Sequence, residues 1–418
     1  MKIVLHEMGT YTHRQELAKA LSSRGHEIAY LYCPSSRTPS RSSMCFTASD
    51  KVTVVPIALD SEFAKWQLLK RFLQERAYGN RAASVIGSLR PDLVISGNTP
   101  IEIQAAIQKM CRRSGTPFLF WLEDVYSIGV KSVLSKMPLF GDLIAARYAL
   151  LERKVARQSN GIVAISDDFR ALALDWGVDP DRIAVIENWS VVPADPPPRK
   201  DNDWAARHGL LGKHVLLYSG ALGFKHNPQL FLDLAKEFRK EENVRVVVIS
   251  EGYGAEWLSS RSREFPQLVL LPFQSAEDFR KALASADVLV AVLERKAAKY
   301  SVPSKVLAYM TAGKPILAAI AADNLAARTI DGASAGLIVD PENPAELRRL
   351  ARSLIEDGDR RRRLGAAGLA YARENFEINA IAARFEDIFR RFVRQPSNSV
   401  VPPVGGGRHR RQKVGARG

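Results

Sequence analysis

The chain has 418 residues, 46% of them apolar, and carries a net charge of +15 with a pI near 9.8. That length suffices for two domains with cores of their own. Neither the three cysteines (Cys33, Cys45, Cys111) nor the seven histidines show a zinc spacing or a disulfide framework, and no apolar run reaches the length of a membrane span, which excludes metal-finger, disulfide-scaffold and helical-membrane classes and points to a reducing compartment.

The first residues, Met1-Lys-Ile-Val-Leu, run directly into His6 and Glu7. They read as a strand entry, because a signal peptide needs a longer apolar region. Residues 2–6 are the first predicted strand, and the spacing of Leu17, Ala18 and Leu21 predicts a helix over 14–23 that Gly25-His26 breaks. Further strands are predicted at 27–32, 52–57, 92–96, 117–122, 161–166 and 182–187, with helices over 62–89, 101–114 and 139–158 and a polar loop over 38–49. Residues 190–203, with Pro193, Pro196, Pro197 and Pro198, read as a linker. The alternation then restarts, with strands at 214–219, 244–250, 268–272, 288–293, 315–320 and 336–340 and a helix over 228–240. Three helical segments follow, near 344–357, 359–374 and 378–394. Short apolar runs alternating with amphipathic segments predict parallel sheets with helices on both faces. Two tandem open α/β units of similar size make a cleft between them, and a ligand site at the carboxyl ends of the strands is expected there. The last stretch, 395–418, is rich in Gly, Pro and Arg and is predicted to be a disordered basic tail.

Several strand ends carry residues suited to anions. Leu217-Tyr-Ser-Gly-Ala-Leu-Gly-Phe-Lys-His-Asn-Pro228 reads as strand, glycine loop and helix. Gly220 and Gly223 allow close backbone approach, Lys225 reaches a phosphate oxygen as a point charge, and Asn227 with Pro228 suits a helix start. In residues 300–317 a polar loop leads to a short helix with Ser304 as N-cap, Lys305 in its first turn and Gly313 as its stop. A cation is disfavoured at that position unless an anion sits between it and the helix end. Glu251-Gly-Tyr-Gly254 also ends a strand, where Gly252 either approaches a ligand or merely turns the chain, and Phe273 is placed either to pack on a base or to fill the core. In the first unit, Phe120-Trp-Leu-Glu-Asp-Val-Tyr126 presents Glu123 and Asp124 at a strand end. They are candidates for orienting a sugar hydroxyl or steadying a cationic transition state, with helix capping or ion pairing as the plain alternative. The loop His6-Glu-Met-Gly-Thr-Tyr-Thr-His13 lies at the same edge and lacks G-x-G-x-x-G, which disfavours a dinucleotide fold.

Taken together these residues resemble retaining glycosyltransferases of GT-B fold, family four, of the bacterial exopolysaccharide and colanic-acid type. The resemblance covers residues 1–394 and rests on Arg24-Gly-His-Glu, Pro91-Asp-Leu-Val-Ile, Trp121-Leu-Glu-Asp-Val-Tyr, Ile165-Ser166, Glu187-Asn-Trp189, Ser219-Gly-Ala-Leu-Gly-Phe-Lys-His-Asn-Pro, Pro303-Ser-Lys305 and Gly313-Lys-Pro315. It implies an acceptor-binding Rossmann-like domain over 1–192, a linker over 193–203, a donor-binding Rossmann-like domain over 204–377, and a last helix, 378–394, crossing back to the first domain. A nucleotide-diphosphate sugar, with uridine as the base, would be held by Gly220, Gly223, Lys225, Gly252, Phe273, Ser304 and Lys305. Glu123, Asp124 and Lys225 would serve catalysis, and Gly9, Thr10 and His13 would meet a lipid-linked saccharide acceptor. The resemblance also implies no metal or other cofactor; positive charge spread along the chain, without interleaved basic and aromatic residues on a helix, argues against a nucleic-acid partner, and a cytoplasmic enzyme peripheral on the inner face of the cell membrane is expected. Residues 65–73 and 131–140 are candidate contacts for an anionic lipid surface.

Two positions depart from the family pattern. The carboxylate that usually meets the nucleotide ribose falls on Ala308, its partner eight residues earlier is Tyr300, and Glu294 is out of register. The loop reads Gly220-Ala where close relatives often have Asn in second place. Ala308 therefore keeps a second reading open, a GT-B scaffold that partners an active transferase. A nucleotide-sugar 2-epimerase is a third, for which only Glu123 and Asp124 stand out as acid–base groups.

Overall fold

A computed structural model describes residues 1–35, 46–61, 67–134, 138–195, 198–223, 226–295 and 304–393. The expected tail, Lys65, Lys225 and Tyr300 thus lie outside the described residues. Short runs rich in Val, Ile and Leu form the strands β1 (Lys2–His6), β2 (Glu27–Tyr32), β3 (Val52–Pro56), β4 (Leu93–Gly97), β5 (Phe118–Leu122), β6 (Gly161–Ala164) and β7 (Ile183–Val185). After the proline-rich stretch come β8 (His214–Ser219), β9 (Val244–Ile249), β10 (Leu268–Leu271), β11 (Val288–Val292), β12 (Ile316–Ala319) and β13 (Gly336–Val339). Helices α1 (Thr12–Ser23), α2 (Leu68–Leu89), α3 (Ile101–Ser114), α4 (Tyr126–Val133), α5 (Pro138–Gln158) and α6 (Asp167–Asp175) join the first set of strands. The second set is joined by α8 (Gln229–Glu237), α9 (Tyr253–Ser259), α10 (Ala276–Ser285), α11 (Lys305–Thr311) and α12 (Leu325–Gly332), after a short α7 (Asp203–Arg207). The chain closes with α13 (Pro344–Glu356), α14 (Gly358–Asn375) and α15 (Ile378–Val393).

Every strand pairing is parallel, in two sheets ordered β3-β2-β1-β4-β5-β6-β7 and β10-β9-β8-β11-β12-β13. Leu5 lies between Tyr30 and Ile95, and Leu217 between Val247 and Leu289. Helices cover both faces, so β4, β5 and β11 are buried along their whole length and read as apolar runs without alternation. Each order reverses once, between β1 and β4 and between β8 and β11. At those places the loops that leave neighbouring strands turn to opposite faces and open a crevice at the carboxyl edge. The two carboxyl edges face each other: Asp168, in the first turn of α6 beyond β6, pairs with Arg328 of α12 beyond β12.

The last helix crosses back to the first sheet. Phe385 of α15 packs on Trp121 with ring centroids 5.0 Å apart and on Trp189 at 6.2 Å. Glu386 takes Arg24 at 2.8 Å and His26 at 2.9 Å, and the ring of Phe392 fills the space that a side chain on Gly161 would need. Some expectations change. The helix expected over 62–89 begins at Leu68, with 62–66 outside the described residues, and β7 spans three residues because Arg182 belongs to a turn capped by Asp179. Ser304 does not cap α11: its backbone is already helical and its side chain accepts no hydrogen bond from the first turn. Asn227 does accept from the N–H of Gln229 at 3.0 Å.

Candidate active site

In the second sheet the crevice between β8 and β11 is built by the Gly220 loop and the start of α11. Gly220 has φ +144°, a conformation L side chains avoid, and its N–H donates to the carbonyl of Ile249 at 3.0 Å. A Cβ there would sit 2.7 Å from the Lys305 ammonium nitrogen. Lys305 folds inward over β8, donating to the hydroxyl of Tyr218 at 2.5 Å with its Nζ 3.8 Å from the ring centroid. Tyr218 in turn donates to the carbonyl of Ala221 at 3.0 Å. One turn on, the Tyr309 hydroxyl accepts from the N–H of Ser219 at 2.9 Å, which ties α11 to the end of β8. Burial brings the Lys305 pKa down to about 7. A half-buried ammonium with no carboxylate beside it among the described residues is costly, and an anion would relieve the cost.

The other donor-side candidates lie on the same edge. Gly223 follows in the loop, with open space where a side chain would stand. Gly252 has φ +97° and starts α9, so its turn requires glycine whatever it binds. Phe273 is half-buried against the core, and its N–H donates to the Glu251 carboxylate at 3.4 Å. Ser304 is exposed, Ala308 is half-buried on α11, and Glu294 is half-buried two residues past β11. Lys225 lies outside the described residues.

In the first sheet the corresponding crevice holds a buried charge cluster. Arg14, in the first turn of α1, pairs with Glu123 beyond β5 and with Glu7 beyond β1, the latter at 3.5 Å. Its guanidinium stacks on Trp121, 4.3 Å from the ring centroid. Gly97 leaves the room, since a Cβ there would meet the Arg14 guanidinium at 2.8 Å. Glu7 also accepts from the N–H of Tyr11 at 2.9 Å and from the Tyr30 hydroxyl, yet burial pushes its pKa up to about 7. Burial lowers His6 and His13 to about 3, so both are neutral at ordinary pH. His6 bonds Ser96 at 2.8 Å, and His13 stands edge-on to Trp189 at 5.3 Å. Gly9 is buried and Thr10 half-buried in the same loop, whereas Asp124 is exposed.

The structure therefore brings Gly220 to Lys305 and turns Glu123 onto Arg14, away from its exposed neighbour Asp124. Arg14, Glu7, Tyr218 and Tyr309 escaped the sequence reading. The available signal was sequence proximity to segments already flagged: Glu7 and Arg14 lie in or beside the 6–13 loop, Tyr218 just before Gly220, and Tyr309 one turn after Lys305. Among the described residues no group of three or more His, Cys, Asp or Glu is placed to hold a metal ion.

Comparison with known proteins gives a consistent picture. Residues 8–189 match the model of the glycosyl transferase 4-like domain and residues 201–370 that of the glycosyl transferases group 1. A probable glycosyltransferase, WbjE of Pseudomonas aeruginosa, is 27% identical over 332 residues, covering 74% of this chain and 80% of that protein. Among solved structures, Anabaena Alr3699/HepE in complex with UDP and glucose superposes with a TM-score of 0.68 at 14% identity, over 93% of this chain and 99% of that one. Sucrose-phosphate synthase from Thermosynechococcus elongatus gives 0.70 at 13% identity (94% and 98% covered). WaaG, a glycosyltransferase involved in lipopolysaccharide biosynthesis, gives 0.64 at 14% (93% and 99% covered). At such identities these likenesses speak for the fold.

Proposed function

The chain belongs to the GT-B glycosyltransferases, and we propose that it moves a sugar from a uridine-diphosphate donor to a lipid-linked saccharide, with retention of anomeric configuration, in the synthesis of a bacterial surface polysaccharide. The observation that carries this reading is Lys305: an inward-turned cation with no carboxylate beside it among the described residues, at the switch point of the second sheet, facing the Gly220 loop. A donor diphosphate set there would gain the Lys305 charge, with Lys225 and the backbone of Gly220 and Gly223 as further partners. Phe273 and Gly252 would line the nucleoside end.

In the proposed reaction the bond between the anomeric carbon and the diphosphate oxygen breaks. The acceptor hydroxyl oxygen bonds to that carbon from the same face, and its proton passes to the departing phosphate oxygen. Charge stabilisation on the leaving diphosphate is then the main catalytic contribution, supplied by the lysines in place of a metal ion. The loop with Gly9, Thr10 and His13, together with Glu123 and Asp124, would hold the acceptor sugar, Asp124 being the solvent-exposed carboxylate of the two.

A basic apolar face supports a lipid-linked acceptor and attachment to the inner face of the membrane. Leu69 and Leu73 of α2, Ile128 of α4, and Leu143 and Leu150 of α5 are five of the nine large apolar side chains exposed among the described residues. They stand among exposed Lys70, Arg76, Lys131, Arg147, Arg153 and Lys154. Arg147 lies over the ring of Phe72 at 5.3 Å and so joins the α5 stripe to that of α2. Leucines interleaved with cations suit anionic phospholipid.

Isothermal titration with UDP, and with GDP as comparison, tests the donor site. UDP binding is expected, weakened about tenfold or more by Lys305→Ala. Unchanged binding in that variant removes Lys305 from the site. Proton NMR of the transferred sugar tests retention. One observation favours the scaffold reading: Ala308 offers no carboxylate to a ribose. UDP-dependent transfer by the parent protein sinks that reading, and absence of UDP and GDP binding, restored by Ala308→Glu, supports it.

A further inference from the structure

Tyr218 does more than fill the core. Its side chain is buried and its ring packs on Phe231 with centroids 4.9 Å apart. Its hydroxyl, however, is committed at both ends: it donates to the carbonyl of Ala221 in the glycine loop and accepts from Lys305. One phenol thus joins the loop that would approach a diphosphate to the cation that would neutralise it. The Lys305 nitrogen stands 3.8 Å from the ring centroid, at the hydroxyl end of the ring. The absence of a side chain on Gly220 lets the lysine reach this position.

We propose that Tyr218 is a positioning residue, which holds the Lys305 ammonium at the Gly220 loop and sets the pH range over which that cation meets a diphosphate. The inference rests on the donor-site reading above and adds a regulator to it. Tyr218 favours the charged form of the lysine through its hydroxyl oxygen, against the burial that disfavours it. Burial brings the lysine down to about 7, and the Tyr218 hydroxyl is the acceptor placed to oppose it. Among the described residues, the titratable groups around it are Tyr218 from β8, Tyr309 one turn on in α11, and His226, whose ring stands 6.5 Å from that of Tyr218. Burial holds both phenols well above their ordinary range, so both stay neutral. Helix α14 and strands β11 and β12 also pack on α11, and among the described residues no charged group from them contributes to the state of Lys305.

The test is UDP affinity of the parent, Tyr218→Phe and Lys305→Met across pH 6 to 8.5. Each affinity is expressed as a ratio to the parent at the same pH, so that ionisation of UDP cancels. Tyr218→Phe keeps the ring and removes the acceptor, which makes the charged lysine about tenfold less favourable. Its affinity is expected to fall about twofold at pH 6 and about threefold near pH 7, the loss shrinking again by pH 8.5, where the lysine is neutral in parent and variant alike. A loss of the same size at every pH, or none at any, overturns the proposal, because a structural defect has no reason to follow lysine ionisation. Lys305→Met serves as the control for the underlying reading. If it weakens UDP binding while the Tyr218→Phe ratio stays flat, the role of Tyr218 falls and the donor site stands. If it leaves UDP binding untouched at all pH values, both fall. Lys305→Arg, whose charge does not titrate in this range, is expected to bind with a flatter profile than the parent and needs no change at Tyr218.

Discussion

At both switch points a glycine makes room for a cation, but the two glycines have different neighbours. A methyl on Gly220 would press on Nζ and Cε of Lys305, at 2.7 and 3.0 Å, which is the movable end of a flexible side chain. A methyl on Gly97 would press on Cβ of Trp121 at 2.7 Å as well as on Arg14, and that tryptophan is locked between Trp189 and Phe385. Gly220→Ala is therefore expected to expel Lys305 from its place. UDP affinity should fall about tenfold, with a cost in stability of about 1–2 kcal/mol from the backbone conformation. Gly97→Ala is expected to cost about 1–3 kcal/mol or more through overpacking and to leave UDP affinity unchanged, since it lies in the other half of the cleft. Thermal melting combined with UDP titration reads both quantities. Equal losses of UDP affinity in the two variants would show that the crevices are not separate sites.

Among the elements, α15 has the clearest task. It leaves the second half of the chain and supplies Phe385 to the stack of Trp121 and Trp189, which also backs Arg14 and His13. Phe385→Ala is expected to destabilise the fold by about 3–5 kcal/mol. Because its ring touches two tryptophans, the intrinsic fluorescence of the folded protein should change with it. A melting temperature equal to the parent's would mean that α15 is not held through this ring. The amphipathic period of this helix was plain in the sequence, as were the strands, whose apolar β-branched runs place each of them to within a residue or two. Less visible were α4, α6, α7, α9, α10 and α12, which span ten residues or fewer. So short a helix shows two or three apolar positions, too few to separate its period from that of a strand. For α6 a cap was readable nonetheless, since Ser166 accepts from the N–H of Phe169 ahead of Asp167 and Asp168. The reading of Ser304 as a cap failed because the preference for serine is an average, and here the helical turn begins one residue before the hydrogen-bonded helix. Strand ends pointed to the carboxyl edge of each sheet, where the candidate residues lie. What they could not show was that Arg14 would lie between Glu7 and Glu123, because that follows from β1 lying beside β4 and β4 beside β5, a strand order no local pattern encodes.

For the whole molecule, the net charge of +15 and the exposed face of α2, α4 and α5 act on one another. Positive charge alone would draw the protein to any polyanion and would be screened within about 10 Å at 0.1 M salt. Exposed leucines alone would favour self-association. Combined on one face, they favour a surface that is anionic outside and apolar beneath. The face is tied to the candidate site, because α4 starts two residues after Asp124 and the buried Glu152 of α5 accepts from the N–H of Ser127 at 3.1 Å. A protein docked by this face would hold the crevice of Glu7, Arg14 and Glu123 close to the lipid headgroups. Vesicles of phosphatidylglycerol and phosphatidylcholine should therefore sediment with the protein, more weakly as salt rises, and pure phosphatidylcholine vesicles should bind less. Leu73→Asp with Leu150→Asp changes exposed positions, so the fold and UDP affinity should persist while vesicle binding drops about tenfold or more, each Asp removing apolar area worth about 1.5 kcal/mol or more. Removing residues 395–418, which carry Arg408, Arg410, Arg411, Lys413 and Arg417, separates the two sources of charge. If vesicle binding survives the double change and is lost with the tail, the tail is the anchor and the α2–α4–α5 face has no part in docking. The opposite pattern places the membrane against the half of the cleft that holds Glu123 and Asp124, where a lipid-linked saccharide would have to enter.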